Sequence, residues 1–404
     1  MLWRGCTVPY ACVRQARVGC VWHETAERSS PIVTIPSTDA LSNSLKVALL
    51  EELGVLTHRL VAMASVSGSE QRICDAVEKL LRQASHLSVT RTGNCLVART
   101  SMLRPQRLLL AGHLDTVPPT EPPQPPVREG RFVEGRGAVD MKAGVAVMVW
   151  LALTVAADAV LDSTFVFYDR EEMGSHTSGM NRLAQQARDM LAADAAVLLE
   201  PTGGWLEPGC QGNMRVRIGY RGRSAHTARP WTGANAIDRM APALARCSAH
   251  RSEQVVLDGL EYPQAFEVVG VQGGGDSNVL PDRCAFHVNV RYAHSRSHNA
   301  VLDEIRRLVG PEADDIEVTL DSPAAPPSLG HPLLGALVRG VEGRIRPKLG
   351  WTDVGRLAHM GIPAANFGPG DPALAHTAYE RVDMDEAARV CRVLARVLAH
   401  GGGA

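Results

Sequence analysis

Two histidines and a succession of carboxylates stand where apolar runs of this chain give out. Leu108-Leu109-Leu110-Ala111-Gly112 runs into His113 and Asp115, and Asp140 follows Gly137-Ala138-Val139. Glu171 and Glu172 come just after Phe165-Val166-Phe167-Tyr168, Glu200 directly after Val197-Leu198-Leu199, and His376 closes Leu374-Ala375-His376. Imidazole and carboxylate are the ligands of Zn²⁺-like ions. Two histidines and several carboxylates suffice for a pair of ions, with one carboxylate left over to act as a base. That chemistry is hydrolysis.

Each motif also has a plainer reading. In His113-Leu114-Asp115 the imidazole can bind a metal while the nearby carboxylate takes its other N–H, or the histidine is simply solvated. Asp140 can bridge two ions with one oxygen each, or cap the helix that opens at Met141-Lys142-Ala143-Gly144. Glu171 and Glu172 are neighbours, and neighbouring side chains do different work only at an irregular strand end. There Glu172 coordinates and Glu171 takes a proton; otherwise the pair is an exposed start to the next helix. Glu200 precedes Pro201 and ends an apolar run, so its burial demands a metal or an arginine. His376 sits in a proline- and glycine-rich loop, where a solvated histidine is the alternative.

A length of 404 residues implies two or more domains. A formal net charge of −1 with 21% charged residues gives no field favouring nucleic acid or an anionic membrane. No run approaches the ~18 apolar residues that span a bilayer. The nine cysteines are scattered, odd in number and without a Cys-x-x-Cys pair, which reads as reduced thiols in a cytoplasmic chain. Up to Trp22 there are arginines at 4, 14 and 17 but no acid. Arg14 and Arg17 interrupt any apolar core of a targeting peptide. Residues 1–41 are therefore expected to be a disordered extension, or the product of a start placed too far upstream.

Helical spacing recurs from Ser42 to about Gln83, then at Met141–Val155 and Thr177–Leu191. Between these lie strand-like runs at Leu87–Thr90, Cys95–Ala98, Arg107–Ala111, Thr164–Tyr168 and Ala195–Leu199, with a further strand at Ile362–Phe367. Their alternation predicts an α/β fold, a mixed and largely parallel sheet flanked by helices, with the site at the carboxyl ends of the strands. From Cys210 the character changes. Met214–Tyr220 and Cys284–Tyr292 alternate like half-wet strands, and helices are expected at Ala234–Ala249 and His298–Leu308. A strand–helix–strand–strand–helix–strand order predicts an inserted α+β sandwich of ferredoxin-like type. The expected division is residues 42–208 with 322–404 for the catalytic layer, and 209–321 for the insert.

Taken together, the motifs closely resemble those of the dinuclear zinc aminoacylase/carboxypeptidase-type metallohydrolases, from about Leu45 to the C-terminus. Within that family the chain is most similar to the succinyl-diaminopimelate desuccinylases, through Glu207-Pro208-Gly209-Cys210-Gln211-Gly212 and Asn366-Phe367-Gly368-Pro369-Gly370-Asp371-Pro372. The resemblance implies two Zn²⁺ per subunit, with Co²⁺ or Mn²⁺ as substitutes. By it His113 and Glu200 hold one ion, Glu172 and His376 the other, and Asp140 bridges. Glu171 is the general base, Asp115 supports His113, and the Asp140–Met141 peptide is cis.

The resemblance extends to the insert. His226, in Arg223-Ser224-Ala225-His226-Thr227-Ala228-Arg229-Pro230, matches a histidine that enters the neighbouring subunit's site, which implies a homodimer formed through the insert. Arg229, Asn278, Arg291 and Thr352 match substrate contacts, although Trp351 stands where the family often has glycine. The substrate implied is a small N-acyl amino acid, N-succinyl-diaminopimelate. Acetylornithine deacetylases and small-peptide carboxypeptidases share every metal motif and remain alternatives. A metal-free binding module on the same fold should have lost one of the six ligand and base residues, and all six are present. No His-Glu-x-x-His or Gly-x-Ser-x-Gly occurs, which disfavours a single-metal zincin or a serine hydrolase.

Overall fold

The computed structural model describes residues 43–119, 124–174 and 176–403. The expected extension over 1–41 lies outside them. Helices α1 (Asn43–Val61) and α2 (Gln71–Leu81) lead into strands β1 (Ser88–Thr92), β2 (Cys95–Arg99) and β3 (Arg107–His113). Two short strands follow, β4 (Val127–Glu129) and β5 (Phe132–Glu134), then α3 (Ala143–Thr154), β6 (Asp162–Tyr168), α4 (Gly179–Gln186), β7 (Ala195–Leu198) and β8 (Glu207–Pro208).

The chain continues with β9 (Gly212–Arg221), α5 (Ala236–Ala249), β10 (Gln254–Leu257), β11 (Leu260–Pro263), β12 (Ala265–Gly273), β13 (Arg283–Tyr292), α6 (His298–Val309) and β14 (Asp315–Ser322). It closes with α7 (Pro332–Gly340), α8 (Val354–His359), β15 (Ala364–Asn366), β16 (Arg381–Asp383) and α9 (Met384–His400).

Seven strands form the main sheet in the order β1-β2-β6-β3-β7-β15-β8. Its four middle strands, β6, β3, β7 and β15, are parallel, and the antiparallel pairs lie toward the edges. Burial explains the choice. Strands β6 and β7 are buried at every position and β3 at all but its first, as near-continuous apolar runs between two helical layers must be. Leu108, Leu110, Phe165 and Phe167 point into one core with α1, α3 and α9. Leu109, Ala111, Val166 and Tyr168 point into the other, with α4 and α8. Helix α3 is buried nearly all round. By contrast α9 buries one stripe (Ala387, Cys391, Leu394, Leu398) and is capped by Asp383, which accepts the Asp385 N–H.

A second sheet runs β12-β13-β9-β14, antiparallel throughout, with α5 and α6 on one face. This is the expected split β-α-β arrangement, with one addition. The β10–β11 hairpin is interposed after α5. Its strands are short and have no buried face of their own except at Tyr262, so no periodicity announced it.

Other departures are local. The stretch read as one helix over Met141–Val155 is a π-type turn at Ala138–Lys142 followed by α3. Thr177–Leu191 divides into α4 and a 3₁₀ turn at Arg188–Leu191. A small sheet, β16-β5-β4, went unforeseen because its three-residue strands are studded with charge. No helix among the described residues is long and apolar enough to cross a membrane, and the six described cysteines are free and buried.

Candidate metal centre

Four parallel neighbours deliver the site at their carboxyl ends. His113 is the last residue of β3, Glu171 and Glu172 follow β6, Glu200 follows β7, and His376 lies in the loop after β15. Asp140 arrives from the turn before α3, and its peptide to Met141 is cis. That turn is anchored from behind. Buried Glu380 accepts the Gly137 N–H at 2.8 Å and the Val139 N–H at 3.4 Å, and pairs with Arg136. Gly137 has φ +79° and a Cβ there would meet Thr116 at 2.5 Å, so glycine is required. Asp140 does not cap α3; its carboxylate is spent elsewhere.

His113 Nε2 lies 2.9 Å from Asp140 Oδ1. His376 Nε2 lies 3.3 Å from Asp140 Oδ2 and 2.8 Å from Glu172 Oε1. Potential ligand atoms of His113, Asp140 and Glu200 fall within 4.8 Å of one another, as do those of Asp140, Glu172 and His376. A third such group joins His113, Glu171 and Glu172. Asp140 is thus shared by two triads, and Glu171 belongs to neither.

His113 is positioned by its other nitrogen. Nδ1 is 3.0 Å from the Asp115 carbonyl and 3.4 Å from its carboxylate. The main-chain oxygen is therefore the nearer acceptor, where the sequence suggested the carboxylate. The buried Asp115 carboxylate instead accepts the N–H of Glu171 (3.0 Å), the N–H of Glu172 (3.1 Å) and the Ser67 hydroxyl (2.6 Å). It ties the end of β3 to the irregular turn after β6. Nothing in the local sequence of Ser67 signals a partner at the end of a strand.

The site is over-supplied with negative charge. No lysine or arginine forms an ion pair with Asp140, Glu171, Glu172 or Glu200 among the described residues. Burial raises the Glu171 carboxyl well above its usual range; His113 opposes this, and the Glu200, Asp353 and Glu172 carboxylates add to it. Burial likewise lifts Glu200 to about 7, against His113 and with Asp140. Glu200 Oε1 is buried with no hydrogen-bond partner. Hydrogen bonds that His376 donates to the Asp140 and Glu172 carboxylates raise it to about 10. Burial disfavours a charged His113, but Asp115 and Asp140 outweigh it and hold the imidazole well above its ordinary value. An unpartnered buried carboxylate oxygen among acids is costly in the absence of a cation. The donor set, all imidazole nitrogen and carboxylate oxygen, suits divalent ions such as zinc.

The remaining candidates lie apart from this cluster. His226 and Arg229 are exposed on the insert, in a loop paired with the Asn278 loop: Thr227 N–H donates to the Asn278 carbonyl at 3.0 Å, and His226 bridges to Val279. Among the described residues, no hydrogen bond or ion pair links that loop to the metal centre. Arg291 is half-buried on β13, its guanidinium destabilised first by burial and then by Arg215. Thr352 is buried and gives its hydroxyl to Asn366 Oδ1 at 2.8 Å. Beside it, Trp351 donates Nε1 to the Pro323 carbonyl at 3.1 Å and packs beneath Arg356. Trp351 also lines a cavity of about 290 Å³ together with His176, Asn181 and the end of β14.

The profile of Peptidase family M20/M25/M40 matches residues 109–400. A Mycobacterium tuberculosis protein provisionally named as the succinyl-diaminopimelate desuccinylase DapE is 43% identical, over 85% of this chain and 97% of its own. The succinyl-diaminopimelate desuccinylase of Corynebacterium glutamicum is 38% identical, over 87% and 97%. Among solved structures, the aminopeptidase PepT of Bacillus cereus superposes with a TM-score of 0.72 at 19% identity, covering 86% of this chain and 98% of its own. The YXEP protein of Bacillus subtilis, a dinuclear metal-binding peptidase of the same family, gives 0.65 at 16%, covering 87% and 99%. The chain belongs to Peptidase family M20/M25/M40.

Proposed function

We propose that this chain is a metal-dependent amide hydrolase that removes the succinyl group from N-succinyl-LL-2,6-diaminopimelate, releasing succinate and diaminopimelate. The observation that carries the chemistry is the sharing of Asp140 between two triads, with Glu171 beside them in a third group with His113 and Glu172. The substrate rests on the desuccinylases that are 38% and 43% identical over nearly their whole length.

In this reading His113 and Glu200 would hold one Zn²⁺ and Glu172 and His376 a second, with Asp140 available to both. When bound, the ions polarise the amide carbonyl and acidify a water. Glu171 takes the proton from the attacking water and returns it to the leaving amine. Burial favours the protonated form of Glu171, the form that delivers the proton to the amine. Asp115 keeps the His113 ring oriented and fixes the backbone of Glu171 and Glu172. Residues 209–321 form a lid and dimerisation layer, whose His226 reaches the partner's site and donates to the developing oxyanion. The carboxylates of the substrate suit Arg229 and Arg291, with Asn278 and Thr352 beside them.

The test is hydrolysis by zinc-loaded protein of N-succinyl-diaminopimelate, acetylornithine and a dipeptide in parallel, repeated after chelation. Chelator-sensitive turnover fastest on the succinyl compound is the expected result. Faster cleavage of acetylornithine or the dipeptide overturns the substrate assignment, and turnover unaffected by complete metal removal overturns the mechanism.

A further inference from the structure

Glu70 is wholly buried at the start of α2, yet its side chain does not cap that helix. Oε1 accepts the Gly68 N–H at 2.6 Å and the Arg170 N–H at 3.3 Å, and Oε2 faces Asn94 Nδ2 at 3.5 Å. No cation pairs with it among the described residues, so its charge is supported by backbone N–H groups and one amide. Burying a carboxylate on such terms is unfavourable unless the groups it orders matter.

Those groups are specific. Arg170 is one of the few non-glycine residues with positive φ, at +56°, a conformation that persists only where its surroundings impose it. The next two amides, of Glu171 and Glu172, are both taken by Asp115. Two buried carboxylates from different parts of the chain therefore hold three successive N–H groups. The segment around Glu70 is itself fastened to the end of β3: Ser67 N–H donates to the Thr116 carbonyl at 3.1 Å, and the Ser67 hydroxyl to Asp115 at 2.6 Å. A turn stabiliser needs only the Gly68 contact; the second contact, to Arg170, reaches the catalytic loop.

We propose that Glu70 is a positioning residue: it fixes the left-handed turn at Arg170, so that Glu171 and Glu172 both turn into the metal centre beside His113, with Glu172 also against His376. The proposal rests on the assignment of Glu171 as the base. Glu70→Gln, Glu70→Ala and Glu171→Gln are compared with the parent protein. Chelated samples are followed by amide hydrogen exchange in the segment 169–174, and zinc-loaded samples by metal content, kcat and KM on N-succinyl-diaminopimelate.

Glu70→Gln is expected to speed exchange in that segment roughly tenfold, leaving the rest of the chain unchanged. Its kcat falls about 10- to 100-fold at constant KM and metal content, because small misplacements of a catalytic group cost that much. Glu70→Ala, which loses both acceptors, falls further. Unchanged local exchange and kcat in Glu70→Gln overturn the proposal, and so does a loss of kcat that merely follows lost metal or folded fraction. Full activity in Glu171→Gln overturns the base assignment instead, while the exchange data still report on Glu70. If Glu70→Ala does not fold, Glu70→Gln decides alone.

Discussion

Asp140 and His376 meet across the site, with Oδ2 3.3 Å from Nε2, while the other oxygen of the same carboxylate is 2.9 Å from His113. A carboxylate serving two imidazoles on opposite sides is the geometry of a shared ligand. Asp140→Asn keeps the shape and one oxygen but removes the charge. Since even supporting residues around a metal are worth 10–100-fold in affinity, this change should weaken binding of the ions by about 100-fold or more. Metal content after dialysis against a buffered zinc solution checks it. Full occupancy in Asp140→Asn would remove the bridging role.

Glu171 is assigned a proton, not a metal. Glu171→Gln should therefore retain parental metal content and melting temperature while kcat falls by about 10²–10⁴-fold, the usual worth of general acid–base catalysis. Steady-state kinetics beside elemental analysis on the same sample decide the matter. Loss of metal in step with activity would make Glu171 a ligand.

The placement of these residues was legible because the physics is local. An apolar run that ends on a carboxylate, as Val197-Leu198-Leu199 ends on Glu200, marks both a buried strand and its wet end. His113 and Glu172 followed in the same way, and the ferredoxin-like order of the insert was readable from alternating runs such as Cys284–Tyr292. What stayed hidden depends on contacts distant in sequence. Ser67 and Glu70 carry no local signal of their partners until β3 and β6 lie side by side. Asp140 read equally well as a helix cap until the turn anchored by Glu380 carried it into the site. The β10–β11 hairpin buries too little to impose a pattern.

Gly368 packs so closely under the site that a Cβ there would lie 2.3 Å from the Leu199 carbonyl and 2.5 Å from that of Glu200. Both are backbone atoms and cannot swing aside. Gly368→Ala should push the Glu200 segment away, costing about 1–3 kcal/mol of stability, as overpacking does, and weakening the site that holds Glu200 more than the other. Thermal melting and a two-step metal titration provide the check. An unaltered melt would mean that the two segments separate freely.

Protonation gives the metal-free protein an unusual slope. Glu200 is raised to about 7 from an ordinary 4.5, so folding favours its protonated form. Its contribution is fully present below about 4.5 and lost as pH climbs through 7. His376 is raised to about 10 from 6.5 by its carboxylate partners, so the stability it contributes is present below 6.5 and lost as pH rises through 10. Both groups act in one direction up to neutrality, above which buried Lys142, lowered to about 7, opposes His376, so chelated protein should melt at progressively lower temperature from about pH 5 to pH 7. Metal reverses the sense near neutrality, because ions bind only the deprotonated ligands and stabilise the fold more as those protons leave. Melting curves with zinc and with chelator should therefore diverge as pH rises from 5 to 8. If the two sets stay parallel, the carboxylates and imidazoles of this cluster are not the groups that bind the ions.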